Sequence, residues 1–185
     1  MKKFITAALA MFFLMTAAIS AEAAGSFNNS NKIAVVIVGS ADYKTKEFIK
    51  STKNIFKSED KNIEIVVGKE PQNKYQKYWF NEGLLDEGTP TKEDFVKFVN
   101  WSGYKKVVYL VIKDSVLEQH GRKKGKDRSR VSLTINAFIV DKNHIEESTS
   151  ATNEEDSKTS ELRAKLGAFK QCNEEISEIF IPLFK

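Results

Sequence analysis

Two histidines, a single cysteine and a series of adjacent carboxylates are the side chains here with covalent or acid–base chemistry in reach. Nucleophilic catalysis needs a hydroxyl or thiol beside a base that a third group orients. His120 adjoins a basic, glycine-containing stretch and His144 follows a turn, and neither stands in a Gly-x-Ser-x-Gly frame. Both read as surface histidines. Cys172 falls on the apolar stripe of a helical pattern, where a free thiol behaves as a small hydrophobe. One cysteine and two scattered histidines lack the paired spacing of a tetrahedral zinc site, and a lone thiol closes no internal disulfide. The pairs Asp86/Glu87, Glu93/Asp94, Glu146/Glu147, Glu154/Glu155 and Glu174/Glu175 read as solvated charge, since no flanking pattern marks one member as desolvated. Gly39-Ser40-Ala41-Asp42 follows an apolar run and opens a helical pattern, where α/β folds can hold phosphate. It is neither a Gly-x-Gly-x-x-Gly nor a Walker loop, and Asp42 would repel an anion, so N-capping by Ser40 or Asp42 is the expected role. The sequence thus assigns no catalytic residue, no cofactor and no metal ligand.

Two segments could bind rather than react. Arg122, Lys123, Lys124, Lys126, Arg128 and Arg130, broken by Gly121 and Gly125, could engage lipid headgroups, an anionic surface polymer or another polyanion. The alternative is a solvated loop whose charge improves solubility. Lys74-Tyr75-Gln76-Lys77-Tyr78-Trp79-Phe80 interleaves aromatics with lysines. Tyr75, Tyr78 and Trp79 could form a partner-binding or sugar-stacking cluster. At i, i+3, i+4 they could equally face a core.

The elements that must position these residues are legible as periodicities. Ile33 to Val38 is an unbroken apolar run, as in a strand covered on both faces, and Val107 to Ile112 is a second. Phe48, Ile49, Thr52, Ile55 and Phe56 mark an amphipathic helix within residues 42–57, with lysines on the remaining positions. Ile63, Ile65 and Val67 alternate toward Gly68 as a strand nearer an edge. A short aromatic helix is expected after Pro71, over residues 72–86, broken at Gly83 or Gly88. Thr91-x-x-Asp94 is a variant capping box for a helix to Trp101, ended by Gly103. Val131 to Ile139 alternates cleanly, Asp141-Lys142-Asn143 is a turn, and residues 144–151 form a weaker polar strand. An acidic Ser/Thr-rich stretch, 152–160, then leads to a closing helix with Leu162, Leu166, Phe169, Cys172, Ile176 and Phe180 on one stripe and Pro182 at its end. The expected fold is α/β with α+β character. It has a mixed sheet of about five strands in the order β-α-β-α-α-β-β-β-α, crossovers first and an antiparallel meander followed by a helix.

Residues 1–23 have the form of a cleavable bacterial-type signal peptide. Lys2 and Lys3 lead an uncharged run from Phe4 to Ile19, and Ala21-Glu22-Ala23 is a small-x-small cleavage pattern. The run is short for a membrane span. No cysteine lies near its end to carry a lipid, so the expectation is an exported protein, periplasmic or secreted and not a lipoprotein, with no transmembrane segment after cleavage. Residues 24–31 read as a flexible leader and 32–185 as a single domain. Cleavage removes two lysines and one glutamate from a chain of net charge +4. That mild excess of base argues against nucleic acid as a partner.

The strand Lys32-Ile33-Ala34-Val35-Val36, the helix from Phe95-Val96-Lys97-Phe98 to Gly103-Tyr104-Lys105-Lys106, the strand Val107-Val108-Tyr109-Leu110-Val111, the alternating strand to Val140-Asp141, a polar strand and a closing helix resemble a known family domain. It is the small α/β domain shared by the TolB N-terminal domain, CsgG and LpoB-type activators of cell-wall synthases. The resemblance covers most of residues 32–180 and carries over no functional residue. It implies an envelope protein that works by binding and assembly, without an active site in this domain. The chain departs from the pattern in lacking a lipidation cysteine, in Tyr104-Lys105 where an Ala-Asp pair is common, and in having no room for membrane-inserting hairpins. The resulting expectation is an exported, non-enzymatic cell-envelope accessory module whose partner is an envelope protein, an anionic surface polymer or lipid headgroups. A secreted hydrolase or transferase with an unrecognised site, or a small-ligand-binding extracytoplasmic protein, are the alternatives.

Overall fold

The two apolar runs form the middle of the sheet. In the structure, a computed structural model describing residues 31–58, 60–83, 90–120 and 128–184, strand β1 (Lys32–Val38) lies between β2 (Glu64–Val67) and β3 (Lys106–His120) and pairs parallel with both. Its side chains feed two cores alternately. Ile33, Val35 and Ile37 enter one, Ala34 and Val36 the other. A strand buried on both faces cannot carry a polar alternation, which is why the run is continuous. Strands β4 (Arg128–Val140) and β5 (Ile145–Ser157) complete a five-stranded mixed sheet of order β2-β1-β3-β4-β5, with β3–β4 and β4–β5 antiparallel.

Helices cover both faces. A 3-10 turn (Ala41–Lys44), α1 (Lys46–Ile55) and the closing helix α4 (Glu161–Phe180) build the first core, where Tyr43, Phe48 and Phe169 pack ring to ring at 5.0–6.0 Å between centroids. Helices α2 (Lys69–Asn81) and α3 (Lys92–Ser102) build the second against Tyr109 of β3. The expected capping box is present: the Thr91 side chain accepts from the Asp94 N–H, Asp94 accepts from the Thr91 N–H, and Gly103 ends α3 in the left-handed region at φ 76.

Several boundaries differ from the sequence expectation. Helix α2 begins at Lys69, with Pro71 inside its first turn, where a missing N–H removes no helical bond. Neither Ser40 nor Asp42 caps α1. The 3-10 turn intervenes, Thr45 precedes the helix, and no side-chain cap forms at either start. Strands β3, β4 and β5 run well past the apolar segments, and β5 includes residues 152–157, expected to lie outside any strand. Backbone pairing to β4 holds that acidic stretch as far as Ser129↔Ser157. Only one of its faces is buried, so little apolar signal is needed. Leu162, expected on the apolar stripe of α4, is exposed at the first turn.

Candidate interaction surface

Beyond Val38↔Val111, β1 no longer pairs with β3, but β3 continues with β4 to His120↔Arg128 and β4 with β5 to Ser129↔Ser157. The result is a three-stranded ribbon that overhangs the parallel part of the sheet. Helix α4 covers one side of it, over Leu133, Ile135 and Ala151. The opposite side bears Ser132, Thr134 and Asn136 of β4 and the exposed Ser148, Ser150 and Thr152 of β5. These side chains are cross-linked: Thr134 and Thr152 hydroxyls lie 2.9 Å apart, and the Ser150 hydroxyl donates to Asn136 Oδ1 at 3.0 Å. The Arg130–Glu154 ion pair closes the array at one end, and the Lys106–Glu146 pair (2.6 Å) lies toward the other. Hydroxyls and amides can donate and accept together, so this surface suits polar, uncharged contacts. Both strands are legible in the sequence, but the register that brings these side chains together is not.

Of the basic stretch, Arg122, Lys123, Lys124 and Lys126 lie outside the described residues. Arg128 is the first residue of β4 and Arg130 pairs with Glu154. Arg128 and Arg130 thus stand on the start of β4, beside the acidic end of β5.

Tyr75, Tyr78 and Trp79 face the sheet, at 7%, 3% and 8% exposure. Tyr75 meets Trp79, Phe98 and Tyr109 at 5.1–5.9 Å between ring centroids, and Tyr78 meets Phe98 and Trp101. This is the inward face of an amphipathic helix, as the i, i+3, i+4 spacing allows. Burial pushes the Tyr75 and Tyr109 phenols above their ordinary range. The aromatics that meet solvent nearby are Phe80, at 70% exposure, and Trp101, at 43%.

The residues weighed for chemistry do not converge. Cys172 is fully buried, with Asn153 Nδ2 at 3.5 Å from its Sγ, and desolvation raises its thiol pKa. His144 is exposed and pairs with Asp141 at 3.2 Å. His120 closes β3 at the far end of the ribbon. Asp42 instead binds Lys165, a buried lysine of α4 that Glu161 also holds at 2.9 Å and that lies 5.8 Å from the Tyr43 ring centre. That contact ties the 3-10 turn to α4. Lys74 lies over the Tyr104 ring at 4.7 Å, and burial lowers its ammonium pKa. Among the described residues, no group of three or more His, Cys, Asp or Glu side chains could hold a metal ion, and no helix is long and apolar enough to cross a membrane.

No family model matches this chain, and no curated protein matches it. Among solved structures it is similar to the lipoprotein GNA1162 from Neisseria meningitidis, at 15% identity over 80% of this chain and 96% of that one, with a TM-score of 0.44. It is also similar to the LpoB C-terminal domain from Salmonella enterica, at 13% identity over 70% of this chain and 87% of that one, with a TM-score of 0.36.

Proposed function

We propose that this protein is exported through a cleaved signal peptide and acts in the bacterial cell envelope by contact with a protein or polymer, with no catalytic step of its own. The observation that carries this reading is the overhanging ribbon: a bare sheet face of hydrogen-bonding side chains, backed by α4 on its other side. A partner laid on Ser132, Thr134, Asn136, Ser150 and Thr152 exchanges hydrogen bonds with water for hydrogen bonds with the protein. The basic stretch Arg122 to Arg130, which ends on the first residues of β4, adds an attraction for an anionic partner. Tyr75, Tyr78 and Trp79 would reach a partner only through their exposed neighbours, Phe80 and Trp101.

A photo-crosslinking side chain at Ser150 or Thr152, in cells, should capture an envelope component that the same probe at Lys92 on α3 does not. Equal capture from both positions, or none from the ribbon, would refute the contact surface. Mass spectrometry of the protein recovered from those cells should find an N-terminus at Ala24; an intact Met1 would refute export by cleavage. Replacing Lys123, Lys124 and Lys126 together with alanine should weaken capture of an anionic component and leave a neutral one unchanged.

A further inference from the structure

We propose that helix α1 and the groove beside it form a docking surface for an anionic lipid bilayer. The starting point is a stripe of lysines. Lys46, Lys50 and Lys53 stand at i, i+4 and i+7 on α1, opposite the buried Phe48 and Thr52, and Lys57 follows just past the helix end. All four are exposed, and none forms an ion pair with a described carboxylate. Like charges at these spacings repel and weaken a helix. Lys46, at the first helical position, also opposes the helix dipole, an effect that Glu47 beside it offsets only in part, while Lys53 in the last turn is favourably placed. The fold tolerates this repulsion on one face of one helix, and a negatively charged surface would relieve it.

The ground beside the stripe is apolar. Between α1 and α4 runs an open groove of about 340 Å³, lined by Ile55 and Leu166 with Ser51 and Asn54, and rimmed by Lys50, Lys170 and Glu47. Leu162, one turn before Leu166 on the same face of α4, is 49% exposed. An apolar strip bordered by flexible cations is the pattern that sits at headgroup level, with ammonium groups at the phosphates and aliphatic side chains at the acyl boundary. Ile55 and Leu166 also pack against the first core, but a soluble polyanion would use the lysines and leave the exposed Leu162 without a role. The groove lies on the α1/α4 face of the sheet and the bare β4–β5 face points the other way, so both contacts can be made at once. This site does not depend on the ribbon as a contact surface.

The test uses the protein purified as cells produce it, with vesicles of phosphatidylcholine alone or mixed with phosphatidylglycerol. Co-sedimentation should require the anionic lipid and weaken with salt. Each lysine near such a surface is worth roughly fivefold in partitioning, so Lys46→Ala, Lys50→Ala and Lys53→Ala together should lose about a hundredfold. Lys92→Ala, Lys97→Ala and Lys142→Ala carry the same change in net charge on other exposed lysines and should lose less than tenfold. Leu162→Gln, at an exposed position that leaves the core intact, should reduce the binding that survives at high salt. Partitioning of the α1 triple variant within about twofold of the unmodified protein, or an equal loss in the control triple, overturns the proposal. So does binding to soluble polyphosphate without binding to vesicles. Crosslinking at Ser150 in the α1 variant tells this outcome apart from failure of the ribbon surface.

Discussion

Gln72 stands in for a missing strand at Ile37. Its Nε2 donates to the Ile37 carbonyl at 3.0 Å and its Oε1 accepts from the Ile37 N–H at 3.2 Å. The ladder between β1 and β2 ends at Val35↔Val67, and Gly68 then turns the chain into α2 at φ 129. A primary amide carries the same donor and acceptor as a peptide group. Gln72→Leu strands two buried backbone groups, each costing about 1–3 kcal/mol when left unsatisfied, so the urea midpoint should fall by the equivalent of at least ~2 kcal/mol. Gln72→Glu, which cannot donate to the carbonyl when ionised, should be no better than leucine at neutral pH. A midpoint unchanged in both variants would show that water replaces the amide at no cost.

Gly167 lies inside α4, where alanine is ordinarily better by about 1 kcal/mol. A Cβ at this position would come within 2.7 Å of Glu155 Cγ on β5, whose Oε2 accepts from Gln171 at 2.9 Å. The glycine is the contact that lets strand and helix close. Gly167→Ala should therefore stabilise the protein in a Glu155→Ser background, and be neutral or destabilising with Glu155 present. Chemical denaturation of all four proteins gives the coupling. Additive effects would mean that Glu155 moves aside freely.

Asp141 organises the turn between β4 and β5. Burial raises its pKa, but N–H groups of His144 and Asn143, each 2.7 Å from Oδ1, and the positive charge of His144 and Lys106 outweigh that, leaving the pKa below its ordinary value. A carboxylate depressed in the folded state contributes stability that is complete above its unfolded pKa, about 3.9, and is lost as pH falls through the folded value. The unfolding midpoint of the unmodified protein should fall on acidification through that window. Asp141→Asn should fall less steeply while being less stable at pH 6. Parallel pH profiles would remove Asp141 from the account.

Cys172 should resist modification in the folded protein. Its thiol is fully buried, and desolvation favours the neutral form over the reactive thiolate. A charged disulfide reagent at pH 8 should react at a rate that tracks the unfolded fraction as urea is added. Rapid stoichiometric labelling without denaturant would mean that α4 opens away from β4 and β5 in the native state.

What could be read from residue order divides along a physical line. Elements held by apolar side chains announced themselves: β1 and the start of β3 as unbroken runs, α3 by its capping box and Gly103, and α4 by Phe169, Cys172, Ile176 and Phe180. Elements held by main-chain pairing did not. The second half of β5 buries only Ala151 and Ser157 in its last seven residues, and Glu154 to Asp156 look like loop by composition. The contact surface suffers the same blindness, since Thr134 and Thr152 become neighbours only through register. The aromatic spacing in α2 was plain, but whether those rings face inward or outward depends on where the sheet lies. The lysines of α1 were visible as the polar remainder of an amphipathic pattern. That none of them closes an ion pair with a described carboxylate is a property of the fold alone.

The strand order has a consequence for how the chain becomes a protein. β1 is synthesised first among the strands, yet its neighbours on the two sides are residues 64–67 and 106–111. The most apolar stretch of the sheet must wait with one edge open until residue 67 has been made and with the other open until residue 111. Pairings between distant segments form slowly and leave unpaired strands prone to wrong partners in the meantime. A helper that masks Ile33 to Val38 during that interval should raise the yield of folded protein.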